Sequence, residues 1–491
     1  MKEEHIRIIF GLKTRLIRQE KNLSLQELSA LTGISVSYLN EIEKSKKFPK
    51  ADKIFKLAEA FGVSYDYMVS LKLEDKMKPI SDLLFSEILS ELPLDLFGID
   101  VPTFIELLSN APSKLNAFII TLMDISRAYD ITMEEFLLSS LRAYQEMHDN
   151  YFPEIEKSVL QFKKENEMHE LSGSNLYQKL LEEKFNYRFE AYDFNEEESL
   201  RGTRTVLFPG KMNRLLYNPL LTENQKLFIF GRELGYAYLN LKVRPYSSSW
   251  VSVKSFEEVL NHFLASYFSC SLIIAEKEIT RDLDHFLSQE RLNETLLLDL
   301  IQKYNVTPET LVYRITNILP KHFGLKEIFF LRITKDIPSG KFSLDKELHL
   351  TGIHHPHASK SQEDYCRRWV SATIFEDFDI SGQDRIGKAQ YSFYPDGSSY
   401  FVFAIAYRSG TYLQKQVSIS FGIKVNAHFR RKVKFHNDDR IKMKYVGTTC
   451  QRCPVENCEV RMSPAYKLIE QQLKLEKTQR LEDIKKKYSA L

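Results

Sequence analysis

The sequence is sparing in cysteine, glycine, proline and tryptophan, and it lacks any long apolar run. Five cysteines in 491 residues are too few for a disulfide framework and fit a reducing compartment. Eighteen glycines and 16 prolines exclude long flexible linkers, so the domains are expected to pack closely. No stretch reaches the ~18–20 apolar residues needed to span a bilayer, which excludes a membrane-spanning helix and a membrane partner. Met1-Lys2-Glu3-Glu4-His5 leads into a mixed amphipathic segment with no apolar core and no small-residue cleavage site. No signal peptide is read there, and a cytoplasmic location is the default expectation. An excess of charge is missing too: 68 Lys and Arg face 66 Asp and Glu, for a net charge of +2. Any nucleic-acid binding must therefore sit in a local patch. What remains is an ordinary globular composition, 43% hydrophobic and 27% charged, long enough for about three or four domains.

The first seventy residues read as short helices. Ile8, Ile9, Leu12 and Leu16 recur at helical spacing, with Lys13, Arg15 and Arg18 on the other side. Ser24 followed by Glu27 is a capping-box pattern. Leu25, Leu28 and Leu31 then form a stripe that Gly33 ends, and Ser35 caps the next helix. Helix, tight glycine turn, helix is helix-turn-helix geometry. Near the start of the second helix, Ser35, Val36, Ser37, Tyr38, Asn40 and Glu41 would face base edges in a major groove. Lys44, Lys46 and Lys47 follow, with Lys50, Lys53 and Lys56, as partners for phosphates. The alternative is a helical bundle whose lysines are merely solvated. Cap, turn glycine, Glu43 and Pro49 in that order resemble the phage-repressor type of helix-turn-helix, the xenobiotic-response-element family. Its frequent glycine after the recognition helix is Ser45 here.

Beyond this module the chain reads as multidomain α+β. Residues 76–170 are helical, with stripes such as Leu83, Leu84, Ile88 and Leu92. Residues 171–324 mix strands and helices, 325–463 are β-rich, and 464–491 form a charged helix.

Within Leu227–Tyr236 stands the frame of a zinc-peptidase helix. An active version needs His at i and i+4 with Glu between them as general base. Arg232 and Tyr236 occupy the two histidine positions, and only Glu233 remains. A guanidinium is always charged and repels a zinc ion. Arg232 and Glu233 are expected to make structural hydrogen bonds, and His262 to be structural as well. The segment around Glu257–Ala265 resembles the next helix of the ImmA/IrrE-type peptidase domain, so 171–324 is expected to keep that architecture without its metal.

Cys450, Cys453 and Cys458 form a C-x2-C-x4-C cluster. Three thiols within nine residues are able to wrap one metal centre, and a fourth ligand is needed. Cys366 is the leading candidate, with His354, His355 and His357 as rivals; Cys270 lies in an apolar helix and reads as a core residue. Spacing alone leaves iron–sulfur and zinc both open. Arg367, Arg368, Arg452 and Arg461 would offset the charge of a thiolate-bound centre.

The order of these parts resembles the short-chain fatty acyl transcriptional regulators, a family that includes propionate-responsive regulators. Cys366-Arg367-Arg368-Trp369 resembles its Cys-x-x-Trp segment. Phe421-Gly422-Ile423-Lys424 resembles its Gly-rich strand, with Lys424 where a Cys is usual, and Cys450-x2-Cys453-x4-Cys458-x2-Arg461 resembles its terminal motif. The last helix, from 465, is read as extra to the common pattern. The resemblance implies a [4Fe–4S] cluster on Cys366, Cys450, Cys453 and Cys458, and a CoA or acyl-CoA effector. It implies a regulator of short-chain fatty acid or central carbon metabolism, not an enzyme. A homodimer on a double-stranded DNA operator is the expected state, with 76–170 as coupling and dimerisation region. The alternatives are a repressor-fused zinc peptidase of the antirepressor type and a zinc-stabilised DNA-binding protein without sensing.

Overall fold

The structure is a computed structural model that describes residues 3–70, 133–168, 173–247, 255–349, 363–408 and 415–489. The stripes of Leu83 to Leu92 and the three histidines at 354, 355 and 357 lie outside the described residues. The chain divides into two compact units, residues 1–140 with 253–257, and residues 141–252 with 258–491.

The first unit opens with five helices: α1 (Glu3–Glu20), α2 (Leu25–Thr32), α3 (Val36–Glu43), α4 (Ala51–Phe61) and α5 (Tyr65–Val69). The predicted capping box forms: the Glu27 amide donates to Ser24 Oγ at 3.2 Å and the Ser24 amide to Glu27 Oε2 at 2.7 Å. Gly33 ends α2 with φ of 66°, a left-handed conformation that costs glycine no Cβ clash. Leu28, Leu39, Ile42, Ile54 and Leu57 build the shared core. A Cβ on Gly11 would fall 2.4 Å from the Ile42 carbonyl oxygen, so only glycine lets α1 approach α3 this closely. One expectation fails here. Lys13 is buried, not on a solvated face, and its ammonium donates to the Tyr67 carbonyl at 2.8 Å and to the Ser70 carbonyl and hydroxyl. Burial lowers its pKa to about 8. The carbonyls at the end of α5 make that burial tolerable.

Helix α6 (Met133–Met147) leads to α7 (Pro153–Glu165) and α8 (Ser174–Phe185). Strands β1 (Tyr187–Ala191), β2 (Thr205–Phe208) and β3 (Asn213–Tyr217) form a sheet in the order β1-β3-β2, with β1 parallel to β3. Then come α9 (Glu223–Tyr238), α10 (Phe256–Ile273), α11 (Glu276–Leu287), α12 (Glu294–Lys303) and α13 (Pro308–Phe323). Arg314 of α13 is fully buried and holds Glu156 of α7 by two bonds of 2.6 and 3.0 Å. Tyr267 and Ser271 of α10 donate to the same carboxylate. All four groups thus satisfy one another away from water.

The C-terminal sheet runs β5-β4-β8-β7-β6-β9. Its strands are β4 (Ile328–Asp336), β5 (Phe342–His349), β6 (Arg385–Phe393), β7 (Ser399–Arg408), β8 (Lys415–Lys424) and β9 (Lys442–Tyr445). All pairs are antiparallel except β6 with β9. The β-rich expectation for 325–463 holds. It missed a helix, α14 (Val370–Ser381), that packs on β6, β7 and β8. Val370, Ile374, Phe375 and Phe378 of that helix meet Phe329, Tyr400 and Val402 of the sheet in one core. A short helix, α15 (Ala427–Lys432), precedes β9, and α16 (Tyr466–Ser489) is a largely exposed helix. Lys424 at the end of β8 pairs with Glu327.

Candidate functional site

Three sets of side chains were singled out by the sequence, and each has a defined place. The first is α3. Ser35 is its N-cap, its hydroxyl accepting from the Tyr38 amide at 3.4 Å, so its role is to start the helix. Val36 and Ser37 are exposed on the first turn, while Leu39 and Ile42 point inward. Tyr38 lies under Lys53, whose ammonium is 3.8 Å from the ring centroid, with Lys47 at 5.5 Å. Glu41 pairs with Lys47 at 2.8 Å, and Asn40 is half-buried. Lys44 and Lys46 are exposed. The far end of α3 is fixed by Glu43, which Arg18 grips with bonds of 2.6 and 2.8 Å while also donating to the Leu23 carbonyl. Ser45 follows with φ of 59°, the conformation in which glycine is favoured. The exposed first turn and the lysines beyond it form one cationic edge suited to a groove and its phosphates.

The second set is the cysteines. Cys366, Cys450 and Cys453 are buried, and Cys458 is half-buried. Two segments about eighty residues apart in sequence are laced together, which brings Cys366 near Cys450 and Cys453. The Cys366 amide donates to Thr448 O at 3.1 Å, and the Cys450 amide to Asp364 O at 2.8 Å. Gln451 and Asp364 exchange two further bonds, and Trp369 Nε1 donates to Gly447 O at 2.9 Å. Backbone amides point at two sulfurs: Gly447 N–H at Cys366 Sγ and Met462 N–H at Cys450 Sγ, both 3.4 Å. Arg461 clasps the turn by donating to the carbonyls of Cys450, Cys453 and Val455. Burial pushes the Cys366 thiol up to about 11, the charges of Cys453 and Cys450 push the same way, and amide hydrogen bonds pull it back. Among the described residues no three His, Cys, Asp or Glu side chains are arranged to hold an ion as they stand. Cys450 and Cys453 lie near enough to act on the Cys366 thiol, and backbone amides donate to two of the three sulfurs. Cys270 is a core residue of α10, as expected, and burial raises its pKa to about 12.

The arginines divide differently from expectation. Arg452 is taken by Glu363, at 2.9 and 3.0 Å, and Lys467 of α16 joins the same buried carboxylate. Arg461 serves backbone carbonyls. Arg367 lies over the Phe342 ring at 3.9 Å, and the charge of Cys450 acts on it. Gly447, Glu363 and Met462 belong to this site and no sequence signal marked them.

The third set is on α9. Glu233 does not bond Arg232. It pairs with Arg244 at 2.7 Å and accepts from the Tyr187 hydroxyl at 3.2 Å. Arg244 was not anticipated. His262 of α10 faces Tyr236 and Arg232, 3.0 Å from Tyr236 Oη and 3.5 Å from Arg232 Nη1. Burial and the surrounding cations hold its pKa well below the usual value, so the ring is neutral.

The helix-turn-helix family matches residues 15–68, and the short-chain fatty acyl coenzyme A regulator C-terminal family matches residues 331–483. The chain is a DNA-binding transcriptional regulator of the short-chain fatty acyl coenzyme A regulator type. The HTH-type transcriptional regulator RamB of Mycobacterium tuberculosis H37Rv is 22% identical over 485 residues, 93% of this chain and 94% of its own length. The HTH-type transcriptional repressor RghR of Bacillus subtilis is 36% identical over 58 residues, 12% of this regulator and 43% of the relative. A solved Mycobacterium tuberculosis transcriptional regulator has a TM-score of 0.48 at 18% identity, covering 67% of this chain and 94% of that one. One expectation is corrected. The C-terminal family extends to residue 483, so most of α16 belongs to the common pattern and is not an addition to it. Among the described residues no single helix is long and apolar enough to cross a membrane.

Proposed function

We propose that this regulator carries a [4Fe–4S] cluster on Cys366, Cys450, Cys453 and Cys458. A CoA or acyl-CoA effector would act with it, or the cluster's redox state alone, to set occupancy of a DNA operator. The observation that carries the reading is the lacing of the two cysteine segments, with amide donors aimed at two of the sulfurs. When bound, the cluster supplies a one-electron couple and a lability to oxidants. The chain's part is to hold four thiols, to shield three of them from water, and to keep Arg367 near Cys450 as a counter-charge. An effector shifts DNA occupancy only through a difference in affinity between two arrangements of the chain. Two copies reading half-sites one helical turn apart would give the affinity and register that one short helix lacks. Control of short-chain fatty acid or central carbon metabolism follows from the family likeness.

The 171–324 region we read as a peptidase-like frame without peptidase chemistry. Arg232 and Tyr236 stand where imidazoles would be needed, and Arg244 ties up the carboxylate that would act as base.

Oxygen-free purification followed by iron, sulfide and zinc analysis tests the proposal. About four iron and four sulfide per chain are expected, with DNA affinity that changes on oxidation or on adding an acyl-CoA. One zinc without iron would turn the centre into a structural site. No metal at all would remove it.

A further inference from the structure

The cavity beside α9 contains an electrostatic anomaly that neither DNA reading nor the cysteine centre explains. Arg232 is 6% exposed, yet among the described residues no carboxylate pairs with it. Its polar contact is Nη1 at 3.5 Å from His262 Nε2, and its Nε has no hydrogen-bond partner. A buried guanidinium cannot shed its proton to escape this cost. The neighbouring carboxylate is spoken for: Glu233 serves Arg244 and Tyr187. Glu258 is also buried, one turn before His262, but it is not on the cavity wall. His262 is neutral and offers no compensating charge.

Arg232, Glu233, Tyr236, Arg244, Ser247 and His262 are among the residues lining one cavity between the small sheet and the two helices. Two guanidinium groups against one carboxylate leave a single positive charge at its wall. If Arg232 donates to His262 Nε2, the ring proton sits on Nδ1 and Tyr236 Oη accepts it. The Tyr236 hydroxyl proton is then left to donate elsewhere. Arg232 Nε–H and Tyr236 O–H are thus two donors in need of one acceptor. The enclosed interior is about 10 Å³, opening into about 200 Å³ of space, so it admits one water-sized group at its base.

We infer that this cavity is a binding site for a small monovalent anion, a halide or the carboxylate end of a short organic acid, held by Arg232 and the Tyr236 hydroxyl. The site is the reverse in sign of a metal site: a cationic wall awaiting an anion. It stands independently of the cysteine centre and of the effector proposed above.

The test is calorimetric titration of the full chain with sodium chloride, formate and acetate, in a sulfate buffer of constant ionic strength. Saturable binding of one anion per chain is expected, with chloride and the two carboxylates competing for it. Arg232→Met should abolish it. Glu233→Gln, which removes the competing negative charge and frees Arg244, should tighten it about tenfold or more. Absence of saturable binding to the unaltered protein would overturn the inference. So would binding that survives Arg232→Met, or a Glu233→Gln protein that binds no more tightly. Should Arg232→Met fail to fold, the Glu233→Gln comparison and the competition between anions still decide the matter.

Discussion

Replacing Gly447 by alanine is the sharpest single perturbation of the cysteine centre. A Cβ at that position would lie 2.9 Å from both Cβ and Sγ of Cys453, where ordinary contact begins near 3.4 Å. The backbone of Gly447 has little freedom to give way. Its carbonyl receives the Trp369 indole at 2.9 Å and its amide donates to Cys366 Sγ. Cys453 must therefore retreat, by about 0.5 Å, whereas metal–ligand distances tolerate only about 0.2 Å. If the proposed cluster is present, Gly447→Ala is expected to lose at least half of the iron and sulfide found in the unaltered protein after oxygen-free purification. It should remain folded by circular dichroism, because the C-terminal sheet has its own apolar core. Gly173→Ala, where the nearest atom to the added Cβ is 3.7 Å away, is the control and should keep its full complement. A Gly447→Ala protein with unaltered iron, sulfide and visible spectrum would refute the reasoning, because it would show that the thiol of Cys453 is free to move.

Three other outcomes are expected. Arg314→Met should destabilise the second unit by about 3–5 kcal/mol, because it strands the buried Glu156 carboxylate. The double change Glu156→Leu with Arg314→Met should recover most of that loss, both read by urea unfolding of the full chain. Ser45→Gly should raise the melting temperature of the helix-turn-helix by relieving about 1 kcal/mol of left-handed strain, with DNA affinity unchanged; a lower melting temperature would contradict it. The tie between Glu363 and Lys467 should depend on acid. Its hydrogen bonds to Arg452, Lys467 and Thr449 lower the Glu363 pKa from 4.5 to about 2, against the opposing pull of burial. That contribution is full above about pH 4.5 and fades as pH falls through 2. Hydrogen exchange at the start of α16 should therefore quicken over that window, and Glu363→Gln should show fast exchange already at neutral pH.

Much of the first unit was legible because its signals are local. Ser24 with Glu27, Gly33 and Ser35 each act within a few residues, and each marks a helix boundary in the structure. The apolar runs of β4, β7 and β8 were also plain, since a buried central strand is apolar on both faces. Helix α14 escaped notice because its faces are mixed: small Ser371 and Ala372 stand on the buried side, and Ile380 is 85% exposed beside the acids Glu376 and Asp379. Lys13 misled because its three acceptors lie more than fifty residues away. Gly11, Arg244, Glu363 and Gly447 escaped for a related reason: each is defined by what a distant segment brings to it. For the cysteines, spacing named the residues, while what holds them near one another came from the pairing of 363–369 with 447–453.

That pairing sets the character of any signal the centre sends. The peptide hydrogen bonds that bring Cys366 beside Cys450 run between backbone groups and use none of the sulfur atoms that a metal would need. Loss of the proposed centre is expected to leave the C-terminal sheet folded on its own apolar core, where a small zinc finger melts. Cys458 stands outside that pairing, but the turn after it is tied back to Cys450 and Cys453 through Arg461 and Met462 before α16 begins. On the proposed reading, a change at the thiols reaches α16 through the bonds of Arg461 and Met462 and through the Glu363–Lys467 tie.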